Sequence, residues 1–165
     1  MILICYDGSD DARAAIEGAG ALFPGQAATV LTVWQPFIEV VARAGVGLGI
    51  TPAIPDSDRI DEASQERAQA VVQEGVELAR AAGLDAQPRV SAQATTTGRA
   101  ILEQANSLGA EAIVMGSRGL TGVKSVLLGS VSHEVIHHAD RTVVVVPSPK
   151  IAASRARAIG GGAES

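Results

Sequence analysis

The stretch that decides the fold is Ala112-Ile113-Val114-Met115-Gly116-Ser117-Arg118-Gly119, followed after nine further residues by Gly129-Ser130. The apolar run at residues 112–115 predicts a buried strand, and residues 131–139 predict a helix. Glycine lets the backbone approach an anion closely. The free N–H groups and the positive dipole end at a helix start favour negative charge. The sequence therefore predicts a strand, a glycine loop and a helix start that bind a nucleotide or another phosphorylated small molecule.

Apolar runs and helical periodicity alternate along the rest of the chain. Further strands are predicted at residues 1–6, 28–34, 87–93 and 142–146, and further helices at residues 9–22, 58–82 and 97–108. Strands that alternate with helices form right-handed crossovers and a mainly parallel sheet. Continuous rather than alternating apolar runs are typical of strands that helices cover on both faces. We therefore predict a single-domain α/β fold with an open five-stranded sheet.

Two segments lack a core pattern. Residues 36–56 contain several glycines and prolines and predict a long flexible loop. Residues 149–165 are rich in Gly, Ala and Ser and predict a disordered tail. The folded domain is therefore predicted to span residues 1–148.

Composition excludes several classes of function. Of the 165 residues, 47% are apolar and 19% are charged, which is typical of a globular protein. The formal net charge of -5 argues against nucleic-acid binding and against an anionic membrane surface. The sequence shows no secretory signal and no apolar run long enough to span a membrane, which predicts a cytoplasmic protein. The single cysteine, Cys5, excludes an internal disulfide and is expected to be a buried, inert thiol.

The glycine loop does not match the common nucleotide-binding motifs. A Walker A motif needs Gly-Lys-Ser/Thr in succession, but Val123 stands before Lys124-Ser125. A GxGxxG dinucleotide fingerprint is also absent from the loop. A structural turn without a ligand therefore stays open as an alternative.

A second motif lies in the predicted helix at residues 131–139. His133-Glu134-Val135-Ile136-His137 matches H-E-x-x-H, the zinc-protease pattern. A third ligand is missing, because the adjacent His138 points about 100° away on a helix. Asp140 stands where the extended metzincin pattern needs glycine. We expect Val131, Val135, Ile136 and Ala139 to face the core, and any metal binding by the histidines to be adventitious.

The spacing Gly116-x2-Gly119-x9-Gly129-Ser130 resembles the nucleotide-binding pattern of the universal stress protein family. Tyr6-Asp7-Gly8-Ser9 resembles the turn after the family's first strand, and residues 143–147 resemble its last strand. The resemblance implies five parallel strands in the order 3-2-1-4-5 and the ATP-binding branch of the family. The site would then lie between strands one and four, where ligands of such sheets bind.

The resemblance also implies roles for individual residues. Asp7 would contact the adenosine end, and Val33 would line or hydrogen-bond the adenine through its backbone. Gly116 and its neighbours would hold the ribose and the first phosphates. One departure is Cys5-Tyr6, where some ATP-binding members carry proline beside the base. The full set of expected nucleotide-binding residues is Cys5, Tyr6, Asp7, Val33, Met115, Gly116, Ser117, Arg118, Gly119, Gly122, Gly129, Ser130, Val131 and Ser132.

The functional hypothesis is a regulatory protein that binds ATP, with Mg²⁺ on the phosphates left open. Ser130 is expected to cap the last predicted helix and to donate to a phosphate. Slow ATP hydrolysis or phosphoryl transfer is an alternative, although no catalytic residue is assigned. A ligand-free interaction module and an AMP or cyclic AMP binder are the others. A homodimer is expected through Val143, Val144, Val145 and Val146, because an apolar edge strand invites pairing with another chain.

Overall fold

The computed structural model describes residues 1–37, 57–93, 95–120 and 128–160. These residues form one parallel sheet flanked by helices, in the order β1, α1, β2, α2, β3, α3, β4, α4, β5, α5. The strands are β1 (Ile2–Cys5), β2 (Ala27–Trp34), β3 (Asp85–Ala92), β4 (Ala112–Gly116) and β5 (Thr142–Val146). The helices are α1 (Asp10–Leu22), α2 (Ser57–Ala81), α3 (Thr97–Leu108), α4 (Ser130–His138) and α5 (Pro149–Gly160).

The sheet has five strands in the order β3-β2-β1-β4-β5, which confirms the predicted fold and strand order. The central strand β1 pairs with β2 and β4, and Ile4 lies between Val30 and Val114. All three of these side chains are fully buried. Continuous apolar sequence in the central strands thus reflects burial on both faces of the sheet.

Two separate apolar cores cover the two faces of the sheet. On one face, Ile2 and Ile4 pack with α1 and α2 in a cluster that includes Ile16 and Val72. On the other face, Leu3 packs with α3 and α4 in a cluster that includes Ile101. Alternate residues of one short strand therefore anchor helices on opposite faces.

The strand order fixes where a ligand can bind. After β1 the chain continues to β2 on one side of the sheet, and after β4 it continues to β5 on the other side. The loops that follow β1 and β4 therefore diverge and leave a gap between them. The start of helix α1 is capped by Ser9, whose Oγ accepts a 3.2 Å hydrogen bond from the N–H of Ala12. The Asp7-Gly8-Ser9 turn and the glycine loop consequently lie at the carboxyl ends of adjacent strands, as expected.

The prediction of a disordered tail is wrong for residues 149–160, which form α5. This helix, the β1–α1 turn and the start of the glycine loop enclose a second cavity of about 680 Å³, to which Lys150 and Ser154 contribute. Alanine and arginine recur in α5, and their high helix propensity favours a helix at these residues. Of the predicted long loop at residues 36–56, positions 38–56 lie outside the described residues.

Two predictions for α4 are also wrong. Its N-cap is Gly129 rather than Ser130, and no side chain caps this helix start. Ile136 does not face the core, because 46% of it is exposed, whereas Ser132 is 2% exposed. Ser132 is buried, and its hydroxyl donates to backbone oxygens of the glycine loop, at 3.0 Å from both Ser117 and Gly129.

No helix among the described residues is long and apolar enough to cross a membrane.

Candidate functional site

A cavity of about 310 Å³ lies at the carboxyl ends of β1 and β4. Its lining contains most of the residues that the sequence predicts to bind nucleotide. They are Cys5, Tyr6, Asp7, Val33, Met115, Gly116, Arg118, Gly119, Gly129, Ser130, Val131 and Ser132. Of the remaining two, Ser117 is buried behind the wall and Gly122 lies outside the described residues.

Asp7 joins the two loops that border the cavity. Its Oδ1 accepts a 3.0 Å hydrogen bond from the N–H of Ser9, and its Oδ2 accepts a 3.3 Å hydrogen bond from the N–H of Leu120. A carboxylate has further lone pairs, so Asp7 can still accept from a ligand hydroxyl or amino group. The residue therefore positions the cavity wall and keeps acceptor capacity at the cavity.

Gly119 leaves room for this carboxylate. A Cβ atom at Gly119 would lie 2.7 Å from Oδ2 of Asp7, closer than real Cβ contacts. By contrast, a Cβ at Gly129 would meet its nearest atom, Cα of Arg118, at 3.4 Å, which is ordinary contact. A side chain at position 119 would therefore displace the Asp7 carboxylate, whereas one at position 129 would fit within the protein.

Gly116 also owes its identity to packing. A Cβ there would lie 2.7 Å from the carbonyl carbon of Asp11 and 2.9 Å from the nitrogen of Ala12. The end of β4 therefore touches the backbone of the first turn of α1. This contact places the glycine loop directly against the start of that helix.

Ser117 is the point at which the glycine loop is fixed. Its N–H donates to the carbonyl of Val146 at 2.9 Å, and its hydroxyl donates to Oδ2 of Asp11 at 2.7 Å. Its carbonyl accepts from the N–H of Gly129 at 2.8 Å and from the hydroxyl of Ser132 at 3.0 Å. Ser117 thus supports the glycine loop from inside the protein and does not line the cavity. Its hydrogen bonds connect β5, α1 and α4.

Asp11 is charged although only 6% of it is exposed. Burial alone would raise the pKa of its carboxyl group, but hydrogen bonds from Ser117, Ser148 and the backbone of Arg118 outweigh this effect and lower the pKa. The carboxylate is therefore a structural anchor for the loop.

Cys5 and Tyr6 border the cavity without reactive groups. Burial raises the pKa of the Cys5 thiol to about 12, and the charge of Asp7 adds to the shift. The thiol stays protonated at neutral pH, so it is not a nucleophile. Burial likewise raises the pKa of the Tyr6 phenol to about 12, and its hydroxyl donates to Oε1 of Glu74 at 2.9 Å.

A glycine loop fixed at the junction of β1 and β4 agrees with the family match of the sequence. The model of the universal stress protein family matches residues 1–147. The chain belongs to this family. The universal stress protein in the QAH/OAS sulfhydrylase 3′ region of Thermus aquaticus is 32% identical over 149 residues, which cover 88% of this chain and 96% of that protein.

Solved universal stress proteins share the fold. One, in complex with cAMP, is 22% identical with a TM-score of 0.60 and covers 89% of this chain and 95% of its own. Another, from Archaeoglobus fulgidus in complex with dAMP, is 22% identical with a TM-score of 0.55 and covers 88% of this chain and 95% of its own. At this level of identity the likeness concerns the fold alone.

Arg118 is the cation in the described lining of this universal stress protein cavity. Its Nε atom is buried and has no hydrogen-bond partner within the described part of the chain. Lys124, the other cation of the loop, lies outside the described residues. Arg118 is therefore well suited to offset negative charge at the glycine loop.

The sequence interpretation missed several lining residues, namely Ala12, Leu31, Gln35, Thr97, Ile101 and Leu120. Gln35 directly follows β2, just as Asp7 closely follows β1. Polar residues after the carboxyl end of a predicted parallel strand are therefore a signal that could have found it. Thr97 begins α3, and its hydroxyl donates to Oε1 of Gln93 at 2.7 Å.

The H-E-x-x-H motif forms no metal centre among the described residues. His133 and His137 are exposed and stack with their ring centroids 6.2 Å apart. Glu134 instead accepts a hydrogen bond from the hydroxyl of Thr96, the N-cap residue of α3. No group of three His, Cys, Asp or Glu residues in the described ranges could hold a metal.

Proposed function

We propose that this universal stress protein is a regulatory protein that binds ATP in the cavity between β1 and β4. The observation that carries the proposal is the glycine loop beside the open start of α4. Gly129 caps this nine-residue helix without a side-chain hydrogen bond, so its first N–H groups are available to an anion. Gly119 and Gly129 leave the backbone accessible along the same wall.

An adenine nucleotide is the ligand class that fits the family. Relatives of the same fold bind cAMP and dAMP. In this chain, Asp7 supplies acceptors for the adenosine end, and the apolar side chains of Leu31, Val33 and Ile101 line the same cavity. A triphosphate rather than a monophosphate is proposed because Arg118 adds a cation to the N–H groups of the loop.

Nucleotide occupancy is proposed to act by joining the two described ends of the glycine loop. Phosphate contacts would connect Gly119 to Ser130. Protein partners would then recognise the nucleotide-bound form, as they do in other nucleotide-dependent switches. Catalysis is not needed for this role. Asp7 is the one carboxylate in the described lining, and both of its oxygens already accept backbone N–H groups.

We also propose that the protein acts as a homodimer in the cytoplasm. The support for the dimer is β5, an edge strand whose apolar residues Val143, Val144, Val145 and Val146 are only partly buried within the protomer. Exposed strand edges pair readily with other chains. A second protomer is the simplest partner for this edge.

The test of ATP binding begins with ligand identification. Mass spectrometry of small molecules released from the purified protein is expected to find an adenine nucleotide. Calorimetric titration of the stripped protein is expected to give a tighter dissociation constant for ATP than for AMP or cAMP. Absence of a bound nucleotide together with absence of heat from ATP, AMP and cAMP would overturn the proposal. Steady release of phosphate from ATP that Gly119→Ala abolishes would support the hydrolase alternative instead.

A further inference from the structure

We infer that Gln35, held in one orientation by the buried Gln93, makes the cavity select adenine over guanine. The inference rests on the proposed nucleotide binding and specifies how the base is recognised. Gln35 lies two residues after Val33, and both line the cavity, as Leu31 does. Alternate residues of a strand share one face, so Gln35 extends the wall assigned to the base.

The first step is the orientation of Gln93, which is fully buried. Its backbone N–H donates to the carbonyl of Trp34 at 2.8 Å, and its side-chain Nε2 donates to the carbonyl of Thr95 at 2.9 Å. A carbonyl oxygen can only accept. Flipping the Gln93 carboxamide would therefore place two acceptors against each other in a buried site, which is costly. Oε1 of Gln93 must face its other two neighbours.

The second step is what Oε1 of Gln93 demands of those neighbours. It accepts from Nε2 of Gln35 at 3.0 Å and from the hydroxyl of Thr97 at 2.7 Å. Because Oε1 is an acceptor, both partners must present donors. The carboxamide of Gln35 is thus fixed with Nε2 towards Gln93, and Thr97 has used its single hydroxyl proton.

The third step is what this arrangement offers to a ligand. Oε1 of Gln35 accepts no hydrogen bond from the described residues, and Nε2 carries a second N–H. Oγ1 of Thr97, also in the lining, retains only acceptor capacity. An acceptor beside a donor matches the N6 amino group and the neighbouring ring nitrogen of adenine.

Guanine reverses this pattern at the corresponding edge. It presents the O6 acceptor where adenine has an amino group. Oε1 of Gln35 would face that oxygen, unless the carboxamide flipped. The flip would turn Oε1 of Gln35 towards Oε1 of Gln93, so the buried glutamine opposes it. Gln93 is therefore a positioning residue, and Gln35 is the residue that discriminates between bases.

The test compares nucleotides by calorimetry on the stripped, full-length protein. ATP is expected to bind the unchanged protein roughly tenfold to a hundredfold more tightly than GTP or the triphosphate of purine riboside, which lacks the N6 amino group. Gln35→Leu is expected to weaken ATP and to bring the three affinities together. Gln87→Leu, the same change at an exposed position of β3, should keep the preference.

Positioning by Gln93 needs a separate readout. Gln93→Leu is expected to narrow the preference mainly by improving GTP binding, because Gln35 can then rotate. Thr97→Val leaves the Gln93 carboxamide held by Thr95 and is expected to keep the preference. Thermal unfolding shows whether Gln93→Leu has kept the fold, and Gln93→Met, which is closer in shape to glutamine, provides the result if it has not. Equal affinity of the unchanged protein for ATP and GTP would overturn the inference while leaving nucleotide binding intact. A preference that survives in Gln35→Leu would also overturn it, whereas failure of every nucleotide to bind would overturn the proposed function as well.

Discussion

The hydroxyl of Ser117 donates a 2.7 Å hydrogen bond to Oδ2 of Asp11 across 106 positions of sequence. Both residues are buried, with 0% of Ser117 and 6% of Asp11 exposed. The bond joins the end of β4 to the first turn of α1, so a polar contact inside the protein holds the start of the glycine loop in place. Loop geometry and fold stability are therefore coupled at this pair.

Replacing Ser117 by alanine tests that coupling. Ser117→Ala leaves the buried carboxylate of Asp11 with one hydrogen bond fewer, which is expected to lower the free energy of unfolding by about 1–3 kcal/mol. Urea denaturation measures the change. Ser130→Ala is the matched control, because Ser130 is exposed and does not cap the helix. Its free energy of unfolding should stay close to that of the unchanged protein. Equal loss in both variants would contradict the role given to Ser117.

The lowered pKa of Asp11 predicts a specific acid response. A carboxyl group whose pKa is lower in the folded state stabilises the fold above its unfolded pKa of about 4, and this stabilisation is lost as pH falls through the folded pKa. Asp11→Asn is therefore expected to be less stable at neutral pH and to show a shallower loss of stability below about pH 4. Urea denaturation at a series of pH values measures both effects. Parallel pH profiles for the two proteins would show that Asp11 does not carry the acid response.

Substitutions at Gly119 and Gly129 are expected to affect different ends of the proposed nucleotide. Gly119→Ala displaces the carboxylate of Asp7, on which the adenosine end is proposed to rest, so it should weaken both adenosine and ATP by about tenfold or more. Gly129→Ala has room within the protein and adds a methyl group only where phosphates are proposed to bind. It should weaken ATP and leave adenosine unchanged. Calorimetry with both ligands measures this, and equal responses of the two variants to adenosine would contradict the placement of Asp7.

Helix glycines offer a test of packing on the opposite side of Tyr6. A Cβ at Gly75 in α2 would lie 2.7 Å from the ring of Tyr6 and 2.9 Å from Val30. Gly75→Ala is therefore expected to destabilise the protein by about 1–3 kcal/mol despite the better helix propensity of alanine. At Gly98 in α3 the crowding atoms belong to the side chain of Glu134, which can move more easily than the Tyr6 ring but would strain its hydrogen bond with Thr96. Gly98→Ala should accordingly cost less stability than Gly75→Ala in thermal unfolding, and a reversed ranking would contradict this packing.

The strands and most helices could be predicted because their signals are local. Central strands read as continuous aliphatic runs, and the predicted bounds of α3 and β5 agree with the observed Thr97–Leu108 and Thr142–Val146. Asp7 and the glycines were found through their order relative to strands and through the family spacing. These features depend on neighbours in sequence, which a single chain displays directly.

Contacts between distant segments could not be predicted in this way. In the sequence, Gln93 looks like an ordinary polar residue at the end of a strand. Its burial depends on hydrogen bonds with Thr95, Thr97 and Gln35, which only the folded structure brings together. Ser132 is buried with its hydroxyl bonded to the carbonyl of Ser117, whereas the apolar Ile136 is exposed. Buried polar partners override apolar periodicity in both cases, and no local pattern announces them.

The outer edge of β5, which pairs with no other strand of the described residues, allows the proposed dimer to be tested without disturbing the sheet. The carbonyl of Val146 accepts from Ser117 on the β4 side, so the N–H and C=O groups of Val145 point to the free edge, because successive residues alternate. Val145→Pro removes an outward N–H and should yield monomers in light scattering, since proline is tolerated on edge strands. Val145→Ala keeps that N–H and is expected to stay dimeric, whereas Val144→Pro should disrupt pairing with β4 and unfold. A folded Val145→Pro dimer would show that the protomers associate through another surface.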